Sequence, residues 1–427
     1  MALEFPKNFF WGAATSAHQV EGGNYNDWSE WEKANAERLA EEAHKKWQPW
    51  QQEKFPEMFE PENYISGRAC DHYHRYEQDF DIAKSLGHNA HRFSIEWSRI
   101  EPEEGKFDEK EIEHYRQVIL ALTAQRVEPF ITLWHWTNPL WIRDIGGWEN
   151  KKTIEYFLRY VAYVIKLTGI GDTVKFWIPI NEPSVYVGHG YVIGTFPPQV
   201  KSFARANKVL KNLIIAHRQA YKLIHKELGN EVAVGAVHNY HYHTPFRRWH
   251  PLDLLATKVF HYICDVRSSK WAKDCEDFIG LNYYYRDTVK FVFGGGRFGL
   301  IDIKNPNKEI SDIGWDIYPE GIYHVLKDLK KYGKPIYITE NGLADSKDGK
   351  RAKFIKEHLC WIHKAIEEGV DVRGYFCWSL LDNFEWDKGF WPRFGLVEID
   401  YKTLERKIRP SAWEYKKIIE NQAEFTP

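Results

Sequence analysis

The sequence predicts an α/β fold, a (β/α)8 TIM barrel with elaborated βα loops, running through residues 1–427 as one domain. Three observations carry that prediction. A short β-rich run followed by a longer connecting stretch recurs eight times along the 427 residues. Most of these runs are almost continuously apolar rather than alternating, as parallel strands covered on both faces are. The first run is followed by HQVEGG, not by the glycine-rich phosphate turn that an open doubly wound sheet would carry there.

The runs are FFWGAATS (9–16), NAHRFSI (89–95), PFITLWH (129–135), KFWIPINE (175–182), EVAVGAVH (231–238), DFIGLNYY (277–284), PIYITENG (335–342) and VRGYFCWSL (372–380). Between them, residues 110–125, 151–167, 205–228 and 352–369 place apolar side chains at three- and four-residue spacing, which predicts amphipathic helices. The first connection, 17–88, is long. Its segment ANAERLAEEAHKKW (34–47) reads as a helix, and an inserted loop and helical segment is expected at about 34–68, as a lid or an entrance wall.

Composition excludes several functions. Lys and Arg number 58 against 60 Asp and Glu, so the net charge is −2 and nucleic acid is not expected as a partner. No apolar run approaches the ~18 residues that span a bilayer. The N-terminus, MALEFPKNFFWGAATS, lacks a basic region followed by an apolar stretch and a cleavage site, and a cytoplasmic setting is expected. The five cysteines contain no C-x-x-C pair and suit a reducing compartment. Aromatic residues make up 16% of the chain. They can fill a core, and they can also stack on the apolar faces of sugar rings.

In a barrel of this kind chemistry belongs at the C-terminal ends of the strands. Those ends carry Gln19, Arg92, His135, Asn181, Glu182, Tyr284, Glu340, Asn341, Trp378 and Glu385. Glu182 ends the fourth run and Glu340 the seventh, across the mouth from each other. Either alone could be a surface residue or half of an ion pair. Together they match glycoside cleavage, in which one carboxyl group protonates the leaving oxygen and the other attacks the anomeric carbon or activates water.

The motifs FPKNFFWGAATSAHQVEGG (5–23), RFSIEWSRIEP (92–102), LWHWTNPLW (133–141), NEP (181–183), DFIGLNYY (277–284), YITENG (337–342) and WSLLDNFEWDKGFWPRFGL (378–396) occur in this order. In them the chain resembles the family 1 glycoside hydrolases, β-glycosidases, and the shorter archaeal or thermophile-type members most closely. The resemblance implies a retaining exo-β-glycosidase acting on β-glucosides, β-galactosides or β-fucosides through a covalent glycosyl-enzyme intermediate, with no cofactor and no metal. It implies that Glu182 is the general acid/base and Glu340 the nucleophile. Gln19, His135 and Asn181 would bind sugar hydroxyls. Glu385 would accept two hydroxyls at the far edge, Trp386 would donate from its indole N–H, and Trp378 would form the stacking floor. Arg92 and Tyr284 would flank the nucleophile, with Asn282 and Phe394 as neighbours of the pocket. A nucleophilic carboxylate must stay ionised, which a nearby guanidinium favours, whereas the acid/base must start protonated.

Two alternatives remain at this point. A 6-phospho-β-glycosidase would generally replace the glutamate equivalent to Glu385 by a small residue. A catalytically silent sugar-binding barrel would follow if Pro179, standing where the family usually has Thr, distorted the fourth strand by removing a ladder donor. The stretch 239–276 is shorter than in most members, which is expected to open the pocket on that side. In HNYHYH, His238, His241 and His243 have a spacing that can bind zinc or nickel. With no cysteine or acidic cluster beside them in sequence, a solvated loop is expected instead. The partner implied is a small β-glycoside or oligosaccharide, with oligomerisation left open.

Overall fold

The computed structural model describes residues 4–166, 173–296, 299–305 and 309–420. All eight apolar runs form strands of one closed barrel. They are β1 (Phe10–Ala14), β2 (Ala90–Ser94), β3 (Glu128–Thr132), β4 (Phe176–Ile178), β5 (Ala233–Asn239), β6 (Phe278–Asn282), β7 (Ile336–Asn341) and β8 (Val372–Trp378). Every pairing is parallel and between neighbours in sequence, and β1 closes the ring against β8 with Ala14 opposite Trp378.

A helix follows each strand. These are α1 (His72–Ser85), α2 (Glu109–Ala124), α3 (Lys152–Lys166), α4 (Phe203–Leu228), α5 (Pro251–His261), α6 (Glu320–Leu329), α7 (Arg351–Glu367) and α8 (Pro410–Glu420). The four helices expected from periodicity are α2, α3, α4 and α7. Leu167, the last residue of the expected stretch 151–167, lies outside the described residues. The sequence starts helices where it supplies caps: Asp108 accepts from the Lys110 N–H at 2.9 Å ahead of α2, and Ser202 caps α4. In α3 the buried side chains Ile154, Phe157, Val161, Val164 and Ile165 form the stripe that faces the barrel.

The lower half of the barrel is filled with rings. Phe130 and Phe176 stack 4.1 Å apart, Phe376 meets Phe130 at 4.8 Å, and Phe278 meets Tyr337 at 5.1 Å. Gly235 in β5 is needed beside them, since a Cβ there would stand 2.1 Å from the Phe278 ring. With the interior packed, polar side chains that point inward can be accommodated only at the C-terminal ends of the strands.

The segment expected as an insertion forms a helix followed by short helical turns. Its helix, Asp27–Lys46, is capped by Asn26, which accepts from the Ser29 N–H at 2.9 Å, and it buries Trp28, Trp31 and Leu39. Lys46 pairs with Asp387 at 2.8 Å in the loop after β8, and Gln51 donates to the Asp312 carbonyl at 2.7 Å. Asn63 accepts from the Phe390 N–H at 3.0 Å. These contacts tie the segment to two rim loops.

One expectation needs correction. The histidine-bearing stretch after β5 is not a solvated loop. The strand Tyr242–Pro245 joins a three-stranded sheet with Arg286–Gly296 and Gly299–Lys304, and α5 packs on it through Ala256 and Phe260. Pro179 leaves the pairing of β4 with its neighbours in place on either side of it. The strand ends one residue earlier, at Ile178, whose carbonyl accepts from Leu133 N–H at 2.8 Å. Pairing resumes beyond the proline, with Asn181 N–H on the Trp134 carbonyl and Glu182 N–H on the Val237 carbonyl, both at 3.0 Å. The missing donor therefore falls between two intact ladder contacts. No helix among the described residues is long and apolar enough to cross a membrane.

Candidate active site

The C-terminal ends of the strands bring eleven of the twelve expected site residues to one buried cluster, and the twelfth, Phe394, borders it. Glu182 lies just past β4 in left-handed backbone, φ 41°, ahead of the short helix Pro183–Val187. Pro183 suits that first helical position, because its missing N–H would have no partner there. The Glu182 carboxyl accepts from Asn282 Nδ2 at 2.6 Å, and Asn282 in turn accepts from Thr339 Oγ1 at 2.6 Å. Burial above all, and then the negative charge of Glu340, push its pKa up to about 8.

Glu340 ends β7 opposite Asn282 of β6. Arg92 on β2 donates from Nη1 to one carboxylate oxygen, and the Tyr284 hydroxyl donates to the other at 2.5 Å. Arg92 is itself held on three sides: Nε donates to Thr132 Oγ1 at 3.2 Å, Nη1 to the Thr339 carbonyl at 3.3 Å and Nη2 to Asn181 Oδ1 at 2.6 Å. The two glutamates thus differ in their surroundings. One has an amide donor and a raised proton affinity, and the other has a guanidinium and a phenol.

Around them lies a polar and aromatic rim. Asn181 Nδ2 donates to His135 Nε2 at 3.1 Å, which leaves His135 Nδ1 buried without a hydrogen-bond partner among the described residues. Burial, and then the Arg92 charge, hold that imidazole neutral, so Nδ1 carries a proton to donate. Gln19 is spanned by Ser16 Oγ at 2.6 Å, the Phe384 carbonyl at 2.8 Å and Asn383 Oδ1 at 3.0 Å, and its amide stands 3.5 Å from Glu385 Oε2. Burial pushes the Glu385 carboxyl up to about 7, with Lys388 opposing the shift. The Trp378 and Trp386 rings flank His135 at 6.2 and 6.1 Å, each nearly parallel to it.

Several supports were not anticipated. Thr339 and Thr132 orient Asn282 and Arg92, and Asn239 at the end of β5 also hydrogen-bonds Glu182. Asn383 holds Gln19. His18 stacks on Trp386 at 5.7 Å and pairs with Glu32 of the helix Asp27–Lys46 at 2.6 Å, which links that segment to the pocket. Trp315 packs against Tyr284 at 5.4 Å and Phe394 at 6.0 Å. Thr339 and Asn383 stand inside the motifs YITENG and WSLLDNFEWDKGFWPRFGL, which was the only available signal for them. Asn341 turns away, to the Tyr283 carbonyl at 2.6 Å and the Tyr375 hydroxyl at 2.8 Å.

The model of glycosyl hydrolase family 1 matches residues 1–265 and 263–424. Beta-glucosidase A of Acetivibrio thermocellus is 35% identical over 98% of this chain and 99% of its own length. A 6-phospho-beta-galactosidase of Staphylococcus aureus is 31% identical, with 99% of each chain covered. The solved beta-glycosidase from Pyrococcus horikoshii superposes with a TM-score of 0.86 at 37% identity, covering 99% of this chain and 96% of that one. With its closed eight-stranded barrel and its match to the family model along both halves, this chain belongs to glycosyl hydrolase family 1 and is an O-glycosyl hydrolase.

Proposed function

We propose that the protein is a retaining exo-β-glycosidase that releases the terminal non-reducing sugar from β-D-glucosides, β-D-galactosides or β-D-fucosides. The observation that carries this reading is the contrast between the two glutamates. Glu340 attacks the anomeric carbon as the bond to the aglycone oxygen breaks, and Glu182 gives that oxygen its proton. Water then attacks the glycosyl-enzyme, Glu182 takes a proton from it, and Glu340 leaves as carboxylate. Arg92 and Tyr284 position Glu340 through both its oxygens. Asn282 holds the Glu182 carboxyl in place.

The rim supplies the sugar site. His135 Nδ1, a buried donor without a partner among the described residues, suits a sugar hydroxyl, as do Gln19 and Asn181. Trp378 gives the ring an apolar floor. Glu385 and Trp386 bind hydroxyls at the far edge, and the reaction is taken to need no cofactor. A cytoplasmic setting belongs to the same reading, since all five cysteines are unpaired.

A 2-deoxy-2-fluoro glycoside with a good leaving group tests the mechanism. It should inactivate the enzyme and leave a covalent sugar on Glu340, located by peptide mass spectrometry. A label on another residue, or inhibition without a label, would sink the double-displacement assignment.

Glu385→Ser tests the edge against the 6-phospho alternative. Each charge-assisted hydrogen bond lost is worth about 1.5–3 kcal/mol, so kcat/KM on plain glycosides should fall about 10- to 100-fold per bond. Tolerance of a 6-phosphate should rise, because the buried carboxyl no longer repels it. Unchanged kcat/KM on plain glycosides would show that Glu385 does not touch the substrate.

A further inference from the structure

Five side chains behind the β5 wall form a second polar cluster that the reaction does not use. His243 lies on the strand Tyr242–Pro245, and Asp287 is its register partner on the strand Arg286–Gly296. His261 ends α5, and Asp265 follows one turn later in the segment Tyr262–Val266. His243 Nε2 lies 2.7 Å from Asp265 Oδ2, and His261 Nδ1 lies 2.9 Å from the same oxygen. On its other side, His243 Nδ1 stands 3.5 Å from Asp287 Oδ2, which accepts from His241 Nδ1 at 2.7 Å.

We propose that His243 Nε2, His261 Nδ1 and Asp265 Oδ2 form a binding site for a borderline divalent transition-metal ion of the zinc class. The three atoms lie within 4.8 Å of one another. Around zinc, with bonds of about 2.0–2.2 Å in tetrahedral array, such atoms stand about 3.4 Å apart. Opening the 2.7 and 2.9 Å contacts by about 0.5–0.7 Å reaches that spacing, a distance side-chain rotation supplies. Two imidazoles and one carboxylate suit zinc, nickel or cobalt, not calcium or magnesium, which prefer all-oxygen shells.

The surroundings are those of a built site. The His243 and Asp265 side chains are 2% and 1% exposed, and Phe260 meets the His243 ring at 5.3 Å. His261, at 36% exposed, leaves an entry path from solvent and a fourth position for water. Asp287 Oδ2, 3.5 Å from His243 Nδ1 and not hydrogen-bonded to it, stands where a small side-chain rotation would make it the outer carboxylate that commonly orients a metal-ligating histidine. A divalent ion also balances charge. Asp265 and Asp287 bring two negative charges into a buried space, which the cation neutralises while displacing the protons that otherwise bridge imidazole and carboxylate.

The ion's role is structural. It ties α5 to the strand that follows β5 and begins three residues beyond Asn239, which hydrogen-bonds Glu182. Binding therefore stiffens one wall of the pocket and raises thermal stability by mass action.

The test uses untagged full-length protein stripped with EDTA. After incubation with zinc and gel filtration, mass spectrometry should find about one zinc per chain, and the melting temperature should rise with added zinc and fall with EDTA. His261→Ala removes a half-exposed ligand at a helix end and should keep the glycosidase activity. It should weaken zinc binding by at least about 10-fold to 100-fold and abolish the thermal shift. Cobalt bound to the unmutated protein should give the visible bands of a four-coordinate nitrogen and oxygen site, a readout independent of any variant. No stoichiometric zinc, or zinc bound equally well by His261→Ala, would overturn the proposal.

Discussion

Glu340→Ala should lose roughly five orders of magnitude in kcat on an aryl β-glycoside, because no other group in the cluster can take its place at the anomeric carbon. Arg92 and Tyr284 both aim at its carboxylate, and neither is a nucleophile for this reaction. Removing the side chain leaves space on the face from which it attacked. Azide or formate can enter there and displace the aglycone directly, so activity should return with added anion and with inverted configuration. NMR of the product reads that stereochemistry. A retained product would mean that the rescuing anion enters on the other face and that the roles of Glu340 and Glu182 are exchanged. The substitution has a second effect. The Glu340 charge is the second largest cause of the raised Glu182 pKa, after burial. Glu340→Gln should therefore bring the titration of Glu182 down from about 8, which a labelled-carboxyl NMR titration would follow.

The barrel was legible because parallel strands covered on both faces leave a strong mark, an apolar run repeated eight times. Helices α2, α3, α4 and α7 were legible for the same kind of reason, since one face of each is a continuous apolar stripe. Helices α1, α5, α6 and α8 were not read from periodicity, and for α5 the physics explains why. Leu252, Leu254, Leu255 and Val259 are at least a third exposed, so no clean division into an inner apolar and an outer polar face exists to be read. Among the site residues, those that the motifs themselves assign to the sugar or to the two carboxylates were visible. Those that act through tertiary contact were not. Thr339 points at Asn282 because β6 and β7 are neighbours, and His18 supports Trp386 only because the chain ends of the barrel meet. The histidine stretch shows the same limit in reverse. His238, His241 and His243 share one local pattern, yet His238 is buried with neither ring nitrogen hydrogen-bonded and a pKa pushed down to about 3. His241 and His243 meet two aspartates, Asp287 and Asp265, distant in sequence and unknowable from spacing alone.

Glu182→Ala should separate substrates by how much their leaving groups need a proton. An alkyl alcohol or a sugar departs poorly as an anion, so cellobiose-like substrates should slow by about 10²- to 10⁴-fold, the usual worth of a positioned general acid. A dinitrophenolate departs without help, so the first step on a dinitrophenyl glycoside should change little. Attack by water on the glycosyl-enzyme then becomes limiting, since it needs Glu182 as base. A burst of dinitrophenolate should precede a slow steady rate, and azide, which needs no base, should accelerate it with retained configuration. The pH profile checks the same assignment in the unmutated enzyme. A carboxyl with its pKa raised to about 8 is protonated below that value and loses its proton above it. For poor leaving groups kcat/KM should hold through neutrality and fall as pH rises through about 8, and Glu182→Ala should remove that limb. Pro179→Thr should change none of this. The backbone contacts that set Glu182 are the Asn181 and Glu182 N–H groups on the Trp134 and Val237 carbonyls, and both lie beyond the proline. If the threonine variant instead gained activity on disaccharides alone, the acid/base would have been out of position, and the 3.0 Å contact to Val237 would not be what holds it.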